Sequence, residues 1–338
     1  MKRIDFEAHF ATEGFMKLMF ENKGYPRCRV DEQTQNRYLS YADEVELKLV
    51  DRIHDGLLDL GAGRLAKMDE AGVDVQILSL TAPGFEQFEA SKATAMARET
   101  NDLLADVIRK HPDRFKGFAA LAPQNPEEAA AELERCVKEL GFVGWNTHSN
   151  YGNSYLDDKK YWPILEKAAE LETLIYLHPT IPAIPQLWKY GFALAGAPFG
   201  FGFEAAMCTV RLILSGVFDR YPKLKIMLGH YGEALPFLLT RIDWAFERPV
   251  ELTGRPELEK KPSEYFKDNM CVTTSGNFFE PAFTCSAQAI GIDNIFLGSD
   301  FPYETMLESV RFLDNLPISE EDKNKLYHEN ASRFGITV

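Results

Sequence analysis

A few residues in this chain combine the right side chains with the right positions to do chemistry. Glu7 and His9 close the run RIDFEAH, His178 closes LIYLH, and Asp300 closes IFLGSD. Carboxylate oxygens and imidazole nitrogens are the donors that Zn²⁺ and Mn²⁺ accept, with positions left open for water or substrate. Glu7 and His9 stand two apart, which puts them on one face of an extended strand. Taken alone, such a pair is more often structural than metal-binding. The four together read as ligands of one divalent ion. The stretch LGHYGE adds His230 and Glu233. Imidazole is the usual group for proton transfer near neutral pH, and a carboxylate hydrogen-bonded to it fixes its tautomer. His148 ends FVGWNTH and carries a weaker version of the same expectation. His54, His111 and His328 lie in helical or loop contexts and read as structural or surface residues.

These residues need a scaffold that gathers distant strand ends. Eight β-rich runs recur: Arg3–His9, Val73–Leu80, Phe115–Leu121, Phe142–His148, Thr173–Pro179, Lys225–Tyr231, Met270–Gly276 and Asn294–Asp300. Between them lie amphipathic stretches such as SKATAMARETNDLLADVIRKH and PEEAAAELERCVKEL, the second opening with proline and acids. Strand–helix alternation implies a parallel sheet, and eight repeats favour closure into a single (β/α)8 TIM barrel spanning 1–338. No G-x-G-x-x-G follows the first strand and no Walker A sequence occurs, so a dinucleotide-binding reading has little support. Two insertions exceed ordinary barrel connections: a lid-like one at about 11–62 after strand one, and Thr180 to about Ala205 after strand five. Both follow carboxyl ends of strands, where barrel active sites lie. Strand four carries no lysine, Lys138 belonging to the helix before it, so a site with two metals bridged by a carbamylated lysine is disfavoured and one ion is expected.

The formal net charge of −14 disfavours nucleic acid as a partner. Five scattered cysteines with no C-x-x-C pair fit free thiols in a reducing compartment. The N-terminus lacks a signal-peptide h-region, and no window of about 18 uncharged apolar residues occurs, so a cytoplasmic location without a membrane span is the expectation.

Read in order, E-x-H near the N-terminus, AGVDVQILSLTAPG, the strand-five His-Pro, GVFDRYPKLKIMLGHYGE and FLGSDFPYE resemble the amidohydrolase-related, metal-dependent decarboxylases. The likeness is strongest to the 2,3-dihydroxybenzoate, γ-resorcylate and 5-carboxyvanillate decarboxylases, and weakest over about 20–60. The resemblance implies one divalent ion per chain, Zn²⁺ or Mn²⁺ with Mg²⁺ tolerated, on Glu7, His9, His178 and Asp300, with His230 and Glu233 beside the substrate. It further implies non-oxidative decarboxylation of a hydroxylated aromatic acid to the phenol and CO2, in aromatic-compound catabolism, by a homodimer or homotetramer. By the same analogy Asp300, in its protonated form, delivers the proton to the ring carbon. The expected pocket is aromatic and slightly basic. Phe199, Phe201, Phe203, Phe278, Phe279 and Tyr303 are candidate walls, Phe301 a substrate contact, and Arg241 a partner for the substrate carboxylate. Two rivals stand beside this reading: a mononuclear hydrolase of lactonase type, which uses the same ligands, and a non-catalytic metal-binding barrel, which would have no need of a His–Glu proton-transfer pair.

Overall fold

The structure is a computed structural model and describes residues 2–336. Its framework is an eight-stranded parallel sheet. In chain order the barrel strands are β1 (Ile4–Phe10), then, after a small antiparallel sheet of β2 (Arg27–Val30), β3 (Arg37–Ala42) and β4 (Val45–Lys48), β5 (Val75–Leu80), β6 (Phe115–Ala120), β7 (Gly144–His148), β8 (Leu174–His178), β9 (Lys225–Leu228), β10 (Met270–Thr273) and β11 (Ile295–Phe296). The barrel order is β1-β5-β6-β7-β8-β9-β10-β11. The last strand returns to the first through Phe6 N to Leu297 O (2.8 Å), Asp300 N to Glu7 O (2.8 Å) and His9 N to Phe301 O (2.7 Å). These bonds close a TIM barrel. Helices Ala90–Lys110 and Pro126–Lys138 fall where the amphipathic periodicity predicts, the second with proline in its first turn followed by Glu127 and Glu128.

The interior is packed by residues from opposite strands, including Ile4, Phe6, Ile77, Phe118, Tyr176, Met227 and Phe296, together with Phe334. Ala8, Phe10, Leu78 and Leu80 belong instead to the larger cluster beneath the helices. Alternation along β1 therefore switches partway. Asp5 pairs with Gln76 and Ala8 with Leu78, so Phe6 and Glu7 together oppose Ile77, which is a β-bulge. The extra residue lets Phe6 fill the core while Glu7 and His9 turn into the barrel mouth. Strict alternation from Ile4 would have sent both ligand candidates outward.

Three of the expected strands stop at least three residues before the ends of their runs. The runs ending at Tyr231, Gly276 and Asp300 leave the sheet at Leu228, Thr273 and Phe296. The cause is local: His230, Tyr231, Glu233 and Asp300 all have φ between 49° and 59°, the left-handed region, which cannot continue a strand. The 11–62 insertion is likewise more than a loop. It carries helix Glu13–Glu21, capped by the Thr12 side chain, the β2–β4 sheet, and helix Asp51–Leu58. The post-β8 insertion runs Phe192–Leu214 as one apolar stretch, of mean hydropathy 1.3 in its 18-residue window, 39% buried. It is broken between helices Phe192–Ala195 and Gly200–Leu214 and buries Glu204, so it forms a wall over the barrel. The two insertions meet in one cluster, with Ala42 and Val45 against Ile181 and Ala195.

Candidate metal centre and active site

One ligand atom from each of Glu7, His9, His178 and Asp300 lies within 4.8 Å of all the others. Three of the four are buried, and Asp300 keeps 16% side-chain exposure. Their outer contacts point the remaining lone pairs inward. His178 Nδ1 donates to Pro179 O (2.6 Å), leaving Nε2 as the free acceptor. His9 Nδ1 meets Ser79 Oγ (3.0 Å), with the same consequence. Glu7 Oε2 accepts from Thr273 Oγ1 and from Ser275 Oγ (2.6 Å). Glu7 Oε1 and His9 Nε2 are then buried with no hydrogen-bond partner, although His9 Nε2 sits 3.0 Å from Asp300 Oδ1. The two atoms are close without being aligned on each other, as expected of groups aimed at a common third point. Buried polar atoms are rarely left unpaired, and second-contact bonds of this kind accompany metal-binding histidines. The residues fit a divalent ion. Burial, with His9 and His148 alongside, holds His178 well below the usual imidazole range, in the neutral form that can donate a lone pair.

His230 stands beside this cluster. Its Nδ1 pairs with Glu233 Oε1 (2.7 Å), and its Nε2 faces Asp300 Oδ2 (3.8 Å) and Glu7 Oε1 (3.9 Å). Its backbone N donates to Ser275 Oγ (3.1 Å), so one hydroxyl positions both His230 and Glu7. Gly276 has φ +61°, and a Cβ there would lie 3.0 Å from the His230 ring, so both conformation and space call for glycine. Burial works against the charged form of His230. Glu233 foremost, then Asp300 and Glu7, outweigh it and hold the imidazole well above its ordinary range. For Asp300, burial is outweighed by the His230 and His9 imidazoles, which hold the carboxyl well below the usual range. Without the ion, both directions favour an Asp300 carboxylate facing a His230 imidazolium.

The cluster opens into a cavity of about 630 Å³ that His178, His230, Glu233 and Asp300 share. Phe199, Phe201, Phe203 and Tyr303 line it as expected, and the insertion contributes Leu39, Tyr41, Leu47 and Ile53, which the sequence reading did not single out. Phe278, Phe279, Phe301 and Arg241 do not line it. Phe301 is 5% exposed and stacks under Arg64, its ring centroid 4.8 Å from Cζ, because the turn at Asp300 sends the next side chain behind the barrel wall. Arg241 lies near the end of helix Leu235–Asp243, exposed and over the Trp244 ring (5.4 Å), carried away from the mouth by the helix. The pocket is also not basic. Among the described residues no lysine or arginine lines it, and Glu304 joins Asp300 and Glu233. His148 is buried and pairs through Nδ1 with Glu86 (2.9 Å) behind the His178 ring. His54 pairs with Asp55, and His111 packs against Phe115.

The comparisons with known proteins agree with this geometry. The chain is 37% identical to a γ-resorcylate decarboxylase of Polaromonas sp. over 98% of both chains. The fold superposes with a TM-score of 0.89 on 5-carboxyvanillate decarboxylase LigW from Sphingomonas paucimobilis, at 34% identity and covering 99% of each chain. It also matches a dihydroxybenzoic acid decarboxylase from Polaromonas sp. JS666, solved with bound manganese and the inhibitor 2-nitroresorcinol, with a TM-score of 0.84 at 36% identity over 98% of this chain and 96% of that one. The amidohydrolase family model matches residues 4–334, and the chain belongs to that family.

Proposed function

We propose that this chain is a metal-dependent carboxy-lyase that removes CO2 from a hydroxylated aromatic acid of the dihydroxybenzoate type. The observation that carries the reading is a four-donor cluster whose Asp300 faces His230, itself paired with Glu233, where His178, Asp300, His230 and Glu233 line one aromatic-walled cavity. Glu7, His9, His178 and Asp300 would hold the ion, with Mn²⁺ the first choice since a relative of near-equal length binds it. When bound, it supplies positive charge that draws in the substrate anion and favours loss of the ortho-hydroxyl proton.

The residues divide the proton traffic. Asp300 accepts the ortho-hydroxyl proton, and the released electron pair makes the carboxyl-bearing ring carbon basic. Asp300 then returns that proton to the ring carbon. The bond to the carboxyl carbon breaks, its electrons restore the aromatic ring, and CO2 and a phenolate leave. His230 gives its proton to the phenolate and is recharged from solvent, with Glu233 stabilising the imidazolium. The net change is one proton gained and one CO2 lost. The hydrolytic alternative draws no support from the γ-resorcylate, 5-carboxyvanillate and dihydroxybenzoic acid decarboxylases that this chain resembles.

The deciding experiment is a CO2-release screen of Mn²⁺-loaded protein on 2,6- and 2,3-dihydroxybenzoate, salicylate and 5-carboxyvanillate. Turnover of a monoacid is expected. The 5-carboxyvanillate should be the poorest of those carrying an ortho-hydroxyl, because its second carboxylate would meet Glu304 and no lysine or arginine of this chain. Silence on all four with metal bound would sink the reading. A pH profile tests the assignment of His230. Its raised pKa keeps the proton in place through neutral pH, so turnover should be lost only as pH rises through that value. Glu233→Gln removes the largest raising influence and should move the alkaline limb to lower pH; an unmoved limb would take His230 out of the mechanism.

The 11–62 segment acts as a lid, in keeping with its four apolar pocket residues. The chain works as a homodimer or homotetramer. Exposed Phe237 (78%) and Trp244 (40%) beside Arg241 support this, and sedimentation measures it. Five free cysteines suit a reducing, cytoplasmic setting.

A further inference from the structure

The metal-ligand candidates face the barrel mouth, yet the strand ends that carry three of them are tied together from the opposite side. Arg64, on helix Ala62–Ala71, has no exposed surface. Its Nη2 donates to His9 O and Gly56 O (both 2.7 Å), its Nε to Asp59 O (2.7 Å), and its Nη1 to Gln76 Oε1 (3.2 Å). All four acceptors are neutral oxygens. A buried cation with no direct anionic partner is costly, and an apolar side chain could fill the same space without that cost. What the guanidinium offers in return is a planar fork that holds four acceptors at fixed angles.

Its charge is answered at one remove. Gln76 Nε2 donates to Asp5 Oδ2 (2.9 Å), so one amide bridges the cation and the carboxylate. Asp5 in turn accepts from Ser299 Oγ (2.5 Å), Ser299 N (2.9 Å) and Glu7 N (3.3 Å). This single chain of bonds therefore grips the backbone at Glu7, at His9 and next to Asp300. It does not reach His178. Asp300 is the ligand candidate in the left-handed region (φ 58°), a conformation that surrounding bonds must maintain. The same arginine grips the lid. Gly56 and Asp59 belong to helix Asp51–Leu58 and its end, and the helix packs so closely that a Cβ on Gly56 would lie 2.6 Å from Pro302 Cβ.

We propose that Arg64, acting through Gln76, Asp5 and Ser299, is a positioning residue that sets the spacing of Glu7, His9 and Asp300 for the metal and fixes the lid helix to that frame. The inference rests on the metal centre proposed above and is independent of which acid is decarboxylated. Removing an outer support of a metal site typically weakens the ion by about 10- to 100-fold.

The test is Mn²⁺ titration of the full chain, followed by the electron paramagnetic resonance of free Mn²⁺, beside the thermal midpoint of each metal-free protein. Arg64→Lys keeps the charge and loses the fork, and Ser299→Ala removes one hydroxyl at the far end of the chain of bonds. Both should bind Mn²⁺ at least about 10-fold more weakly than wild type, with the lysine variant also raising KM. A lower midpoint with wild-type Mn²⁺ affinity in both would mean packing alone and overturn the proposal. Should Arg64→Lys fail to fold, wild-type affinity in Ser299→Ala overturns it by itself. Wild-type protein that takes up no Mn²⁺ would instead fail the metal centre.

Discussion

Asp300→Asn should lower kcat by roughly 10³-fold or more while leaving the barrel folded, since loss of a general acid–base group alone costs about 10²–10⁴. Asparagine has nearly the shape of aspartate and tolerates the left-handed conformation found here (φ 58°), so the turn should survive. Its amide cannot take up and return a proton. It also removes the negative charge that faces His9 Nε2 at 3.0 Å and His230 Nε2 at 3.8 Å. Two losses are therefore superimposed, a weaker ligand and a missing proton carrier, and they separate experimentally. Circular dichroism checks the fold, metal analysis the occupancy, and single-turnover CO2 release the chemistry. An inactive variant at full metal occupancy assigns the loss to proton transfer. Near-normal turnover would remove Asp300 from that role.

The ligand candidates were legible because each is a polar residue at the end of an apolar run, where a barrel strand delivers its side chain to the mouth. The resemblance carried the reading from donor set to reaction class. Two kinds of information stayed hidden. One is backbone geometry. The order IDFEAHF looks like plain alternation, and nothing in it announces that Phe6 and Glu7 share a side through a bulge. Nor does the run at FLGSD announce that the strand ends at Phe296 and that Asp300 sits in a turn that throws Phe301 behind the wall. The other is long-range pairing. Arg64 lies in an ordinary-looking amphipathic helix, and its partners at 9, 56, 59 and 76 become its partners only once the barrel closes. The pocket residues of the 11–62 insertion stayed hidden for a related reason: Leu39, Tyr41, Leu47 and Ile53 are ordinary apolar residues until the insertion folds against the cavity. Phe301 directly follows a ligand candidate and Arg241 lies on the helix after strand six, but neighbours along a turn or a helix point in different directions.

Chelation should abolish decarboxylation and leave a folded apo-protein that regains full turnover with Mn²⁺. Barrel closure depends on backbone bonds between the Glu7 and Phe301 regions and on the packed interior, neither of which needs an ion. Glu7 stays held by Thr273 and Ser275, and His178 by Pro179, so the donors should remain close to their loaded positions. The apo site nevertheless carries unpaired Glu7 Oε1 and His9 Nε2, a strain that a cation relieves. Metal at 100-fold above its Kd should stabilise the fold by about 2.7 kcal/mol, worth roughly 5 °C in Tm for a chain of this size. Three readings on one preparation decide the matter: CO2 release, metal content and Tm before and after chelation. Activity persisting with metal far below one ion per chain would end the metal-dependent mechanism. A Tm that ignores the metal while activity tracks it would mean that the ion binds the unfolded chain as well as the folded one. Return of activity and Tm together on adding Mn²⁺ would tie both to the same four donors.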